Sequence, residues 1–143
     1  MSLRLMGRIA IGAVVLVLMV APAVSAGGRT TITLDSSASG ETFKTTGSIL
    51  CPSGTAETFF HHFGGGDVAG SFHLTKELTC ADGSGTFVIK VNAATVFGSP
   101  TDRGGWSVVS GTGDYVGLNG GGNLVGTYYD GGIIDLYTGV LHN

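Results

Sequence analysis

The chain is expected to fold as an all-β protein, a single antiparallel β-barrel of about eight strands. Three observations predict this. Two of the 26 glycines, Gly7 and Gly12, precede residue 27, and the other 24 punctuate the remaining 117 residues. Between them lie short runs rich in Thr and Val in which apolar and polar residues alternate, the period-2 signature of half-buried strands. Long apolar repeats at helical spacing are absent. Closing such a meander on itself removes the two exposed sheet edges that an open sheet would leave.

Residues 1–26 read as an export signal rather than as part of the fold. Arg4 and Arg8 precede an apolar run over residues 9–20 (IAIGAVVLVLMV), Pro22 breaks it, and Val24 and Ala26 stand at the −3 and −1 positions of a cleavage site. The run of about a dozen residues is shorter than the ~20 a membrane span needs. No stable membrane insertion is expected once it is removed, so the product is placed outside the cell membrane, secreted or periplasmic. A secreted β domain over residues 27–143 remains.

Seven or eight strands follow in order. Residues 29–34 (RTTITL) form the first, and residues 42–50 the second, running into Cys51. Residues 55–63 (TAETFFHHF) are ambiguous between a strand and a short helix. Residues 69–78 (AGSFHLTKEL) alternate cleanly, with Phe72, Leu74, Lys76 and Leu78 on one face and Ser71, His73, Thr75 and Glu77 on the other. Residues 85–97 place Phe87, Ile89 and Val91 opposite Val88, Lys90 and Asn92. Residues 105–110, 120–128 and 132–141 complete the set. Ala81-Asp82-Gly83 and Asp130-Gly131-Gly132 supply tight turns, because Asp-Gly pairs tolerate the backbone of a hairpin bend.

Charge and cysteine content narrow the function classes. After residue 26 there are five basic residues (Arg29, Lys44, Lys76, Lys90, Arg103) against ten acidic ones, a net charge of −5. That disfavours a nucleic-acid partner, which needs a basic face. Cys51 and Cys80 lie in the exported part and are expected to form a disulfide. It would close a loop of about 30 residues, worth roughly 3–4 kcal/mol in the loop-entropy treatment. Their spacing fits neither a CxxC redox pair nor a zinc motif.

The most distinctive stretch is residues 104–126, GGWSVVSGTGDYVGLNGGGNLVG. Trp106 reads as a core anchor at the start of a strand. Gly111 and Gly113 let the chain bend, and Tyr115, Val116 and Leu118 pack the connection that follows. The Gly111, Gly113, Gly117 spacing superficially matches a dinucleotide fingerprint but lacks the helix and parallel βαβ unit that fingerprint requires.

The segment GTGDYVGLNGGG resembles the GTG-x-aromatic-x-G-apolar-x-G-x-G stretch of the allene oxide cyclase-like and dirigent-like β-barrels. Upstream, CADGSGTFVIKV (residues 80–91) followed by GGW (residues 104–106) is similar to small secreted bacterial members of that group. The likeness covers residues 72–126, roughly half of the exported chain. It implies an eight-stranded antiparallel barrel of the calycin, allene oxide cyclase-like type with an apolar cavity. It further implies the binding of hydrophobic small molecules, or the steering of a cyclisation or radical coupling without a cofactor. No catalytic motif of the group carries over position by position, so whether the chain is an enzyme stays open.

Side chains that could serve a site are few. His73 and Glu77 share a strand face and are candidates for the polar wall of a ligand cavity, against the ordinary arrangement in which that face is solvated. Asp135 and Tyr137 share a face of the last strand, opposite Ile134, Leu136, Thr138 and Val140; if that face points inward they become candidates for proton handling. His61 and His62 are adjacent, so on a regular strand they point to opposite faces. No metal site or cofactor is expected, because nothing brings these histidines and an acid together, and no Gly-x-Ser-x-Gly elbow marks a hydrolase.

Three readings of function therefore stand. The first is a secreted barrel binding an apolar small molecule, the second a cofactor-free cyclase or isomerase on the same barrel, and the third a structural or surface-interaction protein with a filled core. They differ in whether the interior holds a cavity and which alternating faces line it. The export reading has its own check. The intact mass of exported protein should correspond to a chain beginning at Gly27, and a product that keeps residues 1–20 and fractionates with membranes would contradict it.

Overall fold

The computed structural model describes residues 27–143; the expected export signal of residues 1–26 lies outside the described residues. Eight strands in sequence order form a closed antiparallel barrel, each hydrogen-bonded to the next and the last to the first. They are β1 (Gly28–Ser37), β2 (Gly40–Thr46), β3 (Ser53–Gly65), β4 (Ala69–Cys80), β5 (Thr86–Val96), β6 (Thr101–Gly111), β7 (Asn119–Tyr129) and β8 (Gly132–His142). Among these described residues, no helix is long and apolar enough to cross a membrane.

The strand boundaries follow local chemistry. The ambiguous third segment is a strand of 13 residues. The second strand is shorter than its sequence suggests. It stops at Gly47, whose φ of +112° turns the chain inward past the Arg29 carbonyl. Leu50 and Cys51 are then buried in a loop rather than carried on β2. β2 pairs with β3 only from Glu41↔Ala56 to Lys44↔Ser53, and because β3 runs on past the start of β2 at Gly40, residues 57–65 of β3 have β4 as their single strand neighbour.

That long β3–β4 hairpin contains an irregularity. The register slips between Phe60 and His62, a β-bulge that inserts one residue. The extra residue cancels the alternation expected of two adjacent histidines. Phe60 faces the interior, whereas His61 and His62 are both exposed on the outside. His61 Nε2 lies 2.9 Å from the Thr75 hydroxyl, and the His62 and His73 rings lie side by side with centroids 6.1 Å apart.

The two ends of the barrel differ. One end is a packed floor. The Cys51–Cys80 disulfide lies there, with Cα atoms 5.9 Å apart, beside Phe43 and Phe87 in edge-to-face contact. A short 3-10 turn, Gly113–Tyr115, tucks Tyr115 under the same floor. The Cys51 backbone N–H donates to the Tyr115 hydroxyl at 3.0 Å, and the Ser84 hydroxyl is 2.9 Å from it. The two glycines of Gly111-Thr112-Gly113 are needed for this. A Cβ at Gly111 would collide with the Tyr115 carbonyl, and Gly113 has φ of +58°. Leu118 is buried as its apolar character suggests, but Val116 stands 70 % exposed. The turn that buries Tyr115 points the next side chain outward.

Trp106 fills the middle of the barrel. It is 5 % exposed and meets Tyr137 edge-on, centroids 5.9 Å apart. Its room comes from glycine: Trp106 pairs with Gly122 on β7, which pairs with Gly139 on β8. A Cβ at Gly139 would already stand 3.1 Å from the indole. The indole N–H donates to the Thr138 carbonyl at a long 3.4 Å.

Two variants test these anchors. Trp106→Ala should cost roughly 3–5 kcal/mol of stability in chemical denaturation. Replacing Cys51 and Cys80 together by Ala should cost about 3–4 kcal/mol, the loop-closure value for a sequence separation of 29.

Candidate functional site

The other end of the barrel is not filled. A cavity of about 360 Å³ lies there, reaching the surface between Phe60 and Tyr128, which are 73 % and 42 % exposed. Phe60, Phe72, Leu74, Val91, Ala93, Leu124 and Ile133 supply its apolar walls. Ser36, Glu41, Thr58, Lys76, Asp102, Tyr128, Asp135 and Tyr137 supply its polar groups. Every one is on an inward-facing position of its strand, so the alternation that builds the core also lines the cavity.

His73 and Glu77 are not in it. Both are exposed on the outer face of β4, because Leu74, Lys76 and Leu78 take the inward positions and Phe72 lines the cavity. The proposed polar wall therefore fails for these two residues: the apolar face of β4 went inward, as hydrophobic burial favours. The outcome on β8 is the reverse. Asp135 and Tyr137 are buried and line the cavity, while Ile134, Leu136 and Val140 are each about 40 % exposed on the outside.

The polar groups form a connected set. Lys76, 4 % exposed, donates to the Thr58 hydroxyl at 2.7 Å and to Glu41 Oε1 at 3.2 Å, and its Nζ stands 3.8 Å from Asp135 Oδ2. Glu41 also accepts from the Ser36 and Thr58 hydroxyls. The Tyr137 hydroxyl donates to Asp135 Oδ2 at 3.0 Å, and the Tyr128 hydroxyl to Asp102 Oδ2 at 3.1 Å.

Asp102 and Asp135 converge over a glycine. Asp102 pairs with Gly126 on β7, and Gly126 with Asp135 on β8. A Cβ at Gly126 would overlap Asp102 Oδ1 and stand 2.9 Å from Asp135 Oδ1. The missing side chain on β7 is the space into which both carboxyl groups lean.

Burial and neighbours separate the acids. Burial pushes Glu41 up, but the Ser36 and Thr58 hydroxyls and the Lys76 ammonium outweigh it and hold the carboxyl below its ordinary range. For Asp135 burial prevails. The carboxyl is raised despite Lys76 and Tyr137, and the charges of Asp102 and Glu41 add to the rise. Tyr137 is raised well above an ordinary phenol, by burial first and by the Asp135 charge second. Tyr128 is raised by burial and then by Asp102.

Lys76, Glu41 and Asp102 are absent from the candidates that the sequence singles out. The signal for each was present in the alternation. Lys76 sits between Leu74 and Leu78, Glu41 is two residues from the inward Phe43, and Asp102 is four residues from Trp106. A charged residue on an apolar strand face is the mark they share. Ligand-type atoms of Cys51, Cys80 and Asp82 also come within 4.8 Å of one another, but both sulfurs are consumed in the disulfide. No known protein family, curated protein or solved structure matches the chain.

The opposed shifts of Glu41 and Asp135 predict opposed pH trends. A lowered folded pKa contributes stability above the ordinary carboxyl value and loses it as pH falls through the folded value. Glu41→Gln should therefore destabilise at about pH 7, with the deficit shrinking towards about pH 3. A raised folded pKa acts the other way, its contribution being lost as pH rises through the folded value. Asp135→Asn should gain on the parent as pH rises from about 4 to 7. Melting temperatures across this range check both. Lys76→Met, which leaves buried Asp135 and partly buried Glu41 without their cation, should cost about 3–5 kcal/mol at neutral pH.

Proposed function

We propose that this chain is a secreted binding barrel whose open end holds an apolar small molecule. The observation that carries the reading is the cavity itself, about 360 Å³ with seven apolar wall residues and a convergent polar set. Small-molecule sites are concave, mostly apolar and furnished with a few oriented polar groups. The rim supports the same reading: Phe63, Val68 and Phe97, in or next to the loops at this end, are each about half or more exposed. The sequence likeness to the allene oxide cyclase-like and dirigent-like barrels points in the same direction. A filled core, which a purely structural role would favour, has less support.

A specific observation favours a second reading on the same cavity. Asp135, raised by burial and hydrogen-bonded to Tyr137, faces apolar space, the setting in which a carboxyl group can exchange a proton with a bound molecule. That arrangement suits a cofactor-free isomerase or cyclase.

Titration with the neutral apolar dye N-phenyl-1-naphthylamine tests the binding reading. Saturable binding to one site is expected, with fluorescence enhancement. Ala93→Leu, which adds a side chain into the cavity, should weaken it at least about tenfold, a difference of about 1.4 kcal/mol, while the circular dichroism spectrum is retained. No saturable binding by the folded parent, or equal binding by the folded variant, would overturn the proposal.

A further inference from the structure

The polar groups of the cavity do not balance. One cation, Lys76, faces three acids, Glu41, Asp102 and Asp135. Lys76 is already committed to Glu41 and Thr58, with Asp135 next nearest. Asp102 is 4 % exposed, and its Oδ2 accepts from Tyr128. Its Oδ1 is buried with no hydrogen-bond partner, and among the described residues no Lys, Arg or His forms an ion pair with it. This oxygen leans over Gly126 towards Asp135 Oδ1 within the cavity lining. A buried carboxylate oxygen that no protein donor reaches is a strong acceptor, because its desolvation is not offset by any group of the chain.

We infer that the ligand of this cavity is an organic ammonium, an apolar molecule carrying a protonated amine whose head group is seated on Asp102 Oδ1 beside Asp135. The inference rests on the reading of the cavity as a small-molecule site and adds the chemical class of its occupant. An ammonium brings both the missing donor and the missing positive charge, and a charge-assisted hydrogen bond is stronger than a neutral one. The walls fit the rest of the molecule. Phe60, Phe72 and Tyr128 present aromatic surface between the mouth and the acids, which suits a cation and its alkyl neighbours. An anionic head group is disfavoured. It would have to displace Glu41 from Lys76 and then sit among the remaining carboxylates.

Calorimetric titration of the folded protein at pH 7 with octylamine, octan-1-ol and octanoate tests this, because the three share a chain and differ in the head group. Octylamine should bind at least about tenfold tighter than octanol, with octanoate weakest. Asp102→Asn should erase the advantage of octylamine, bringing octylamine and octanol within about twofold of each other in the folded variant. Octanol matching octylamine would overturn the ammonium assignment and leave the apolar cavity standing. Octanoate binding tightest would overturn it in favour of Lys76 as the head-group residue. Binding of none of the three, and of no dye, would fail the cavity reading itself. An octylamine advantage that persists undiminished in folded Asp102→Asn would also overturn the assignment. The ranking in the parent needs no variant, so it decides the matter even if that substitution disturbs folding.

Discussion

Everything in this molecule depends on the seam between its first and last strands. β1 and β8 pair over ten consecutive positions, from Gly28↔Leu141 to Ser37↔Gly132. Without that seam the chain would be a curled sheet with two long unpaired edges, and its inward faces would not converge on one interior. With it, Ile32 and Leu34 of β1 become fully buried alongside Tyr137 and Leu141 of β8. Closure also fixes which residues meet. Asp135 is held opposite Leu34 on one side and Gly126 on the other, so the acid cannot turn outward without breaking the register of both neighbours.

The interior divides between two kinds of packing. Towards the floor, aromatic rings and the disulfide fill the barrel, and Trp106 completes the filling by using space that two glycines vacate. Towards the mouth, charged groups share the interior with aromatic walls. Buried ions are poorly compensated unless each finds partners. Lys76 and Glu41 find them among two hydroxyls and each other, whereas the acids on β6 and β8 are served mainly by tyrosine hydroxyls. The region of tightest packing and the region of greatest electrostatic tension therefore occupy opposite ends of one barrel. The first gives rigidity to the second.

Much of the fold was legible because barrel strands write their period into the chain. β4 and β5 alternate so regularly that their burial follows residue by residue, and the turns at Asp82-Gly83 and Gly131 announce themselves. The failures have local causes. β2 ended early because a single glycine backbone redirected it, and no periodicity reports that. The bulge at His61 shifted two histidines onto one face, which a strict alternation cannot foresee. The site was legible only in part. On β4 the apolar face went inward and removed His73 and Glu77 from the cavity. On β8 the same rule would have excluded Asp135 and Tyr137, yet the register imposed by β1 and β7 placed them inside. Which face a strand buries is decided by its neighbours, and that information is not local.

Gly126 shows what such a barrel makes possible. It supplies no chemistry, only a vacancy, and the side chains that lean into it come from the strands on either side. The wall and the contents of that vacancy are therefore encoded separately. Exchanging the residues at positions 102 and 135 would recast the polarity of the socket while β7 and the hydrogen-bonded frame stay as they are. A lineage, or a designer, working on this scaffold could change what it holds through two codons, provided the glycine between them is left alone.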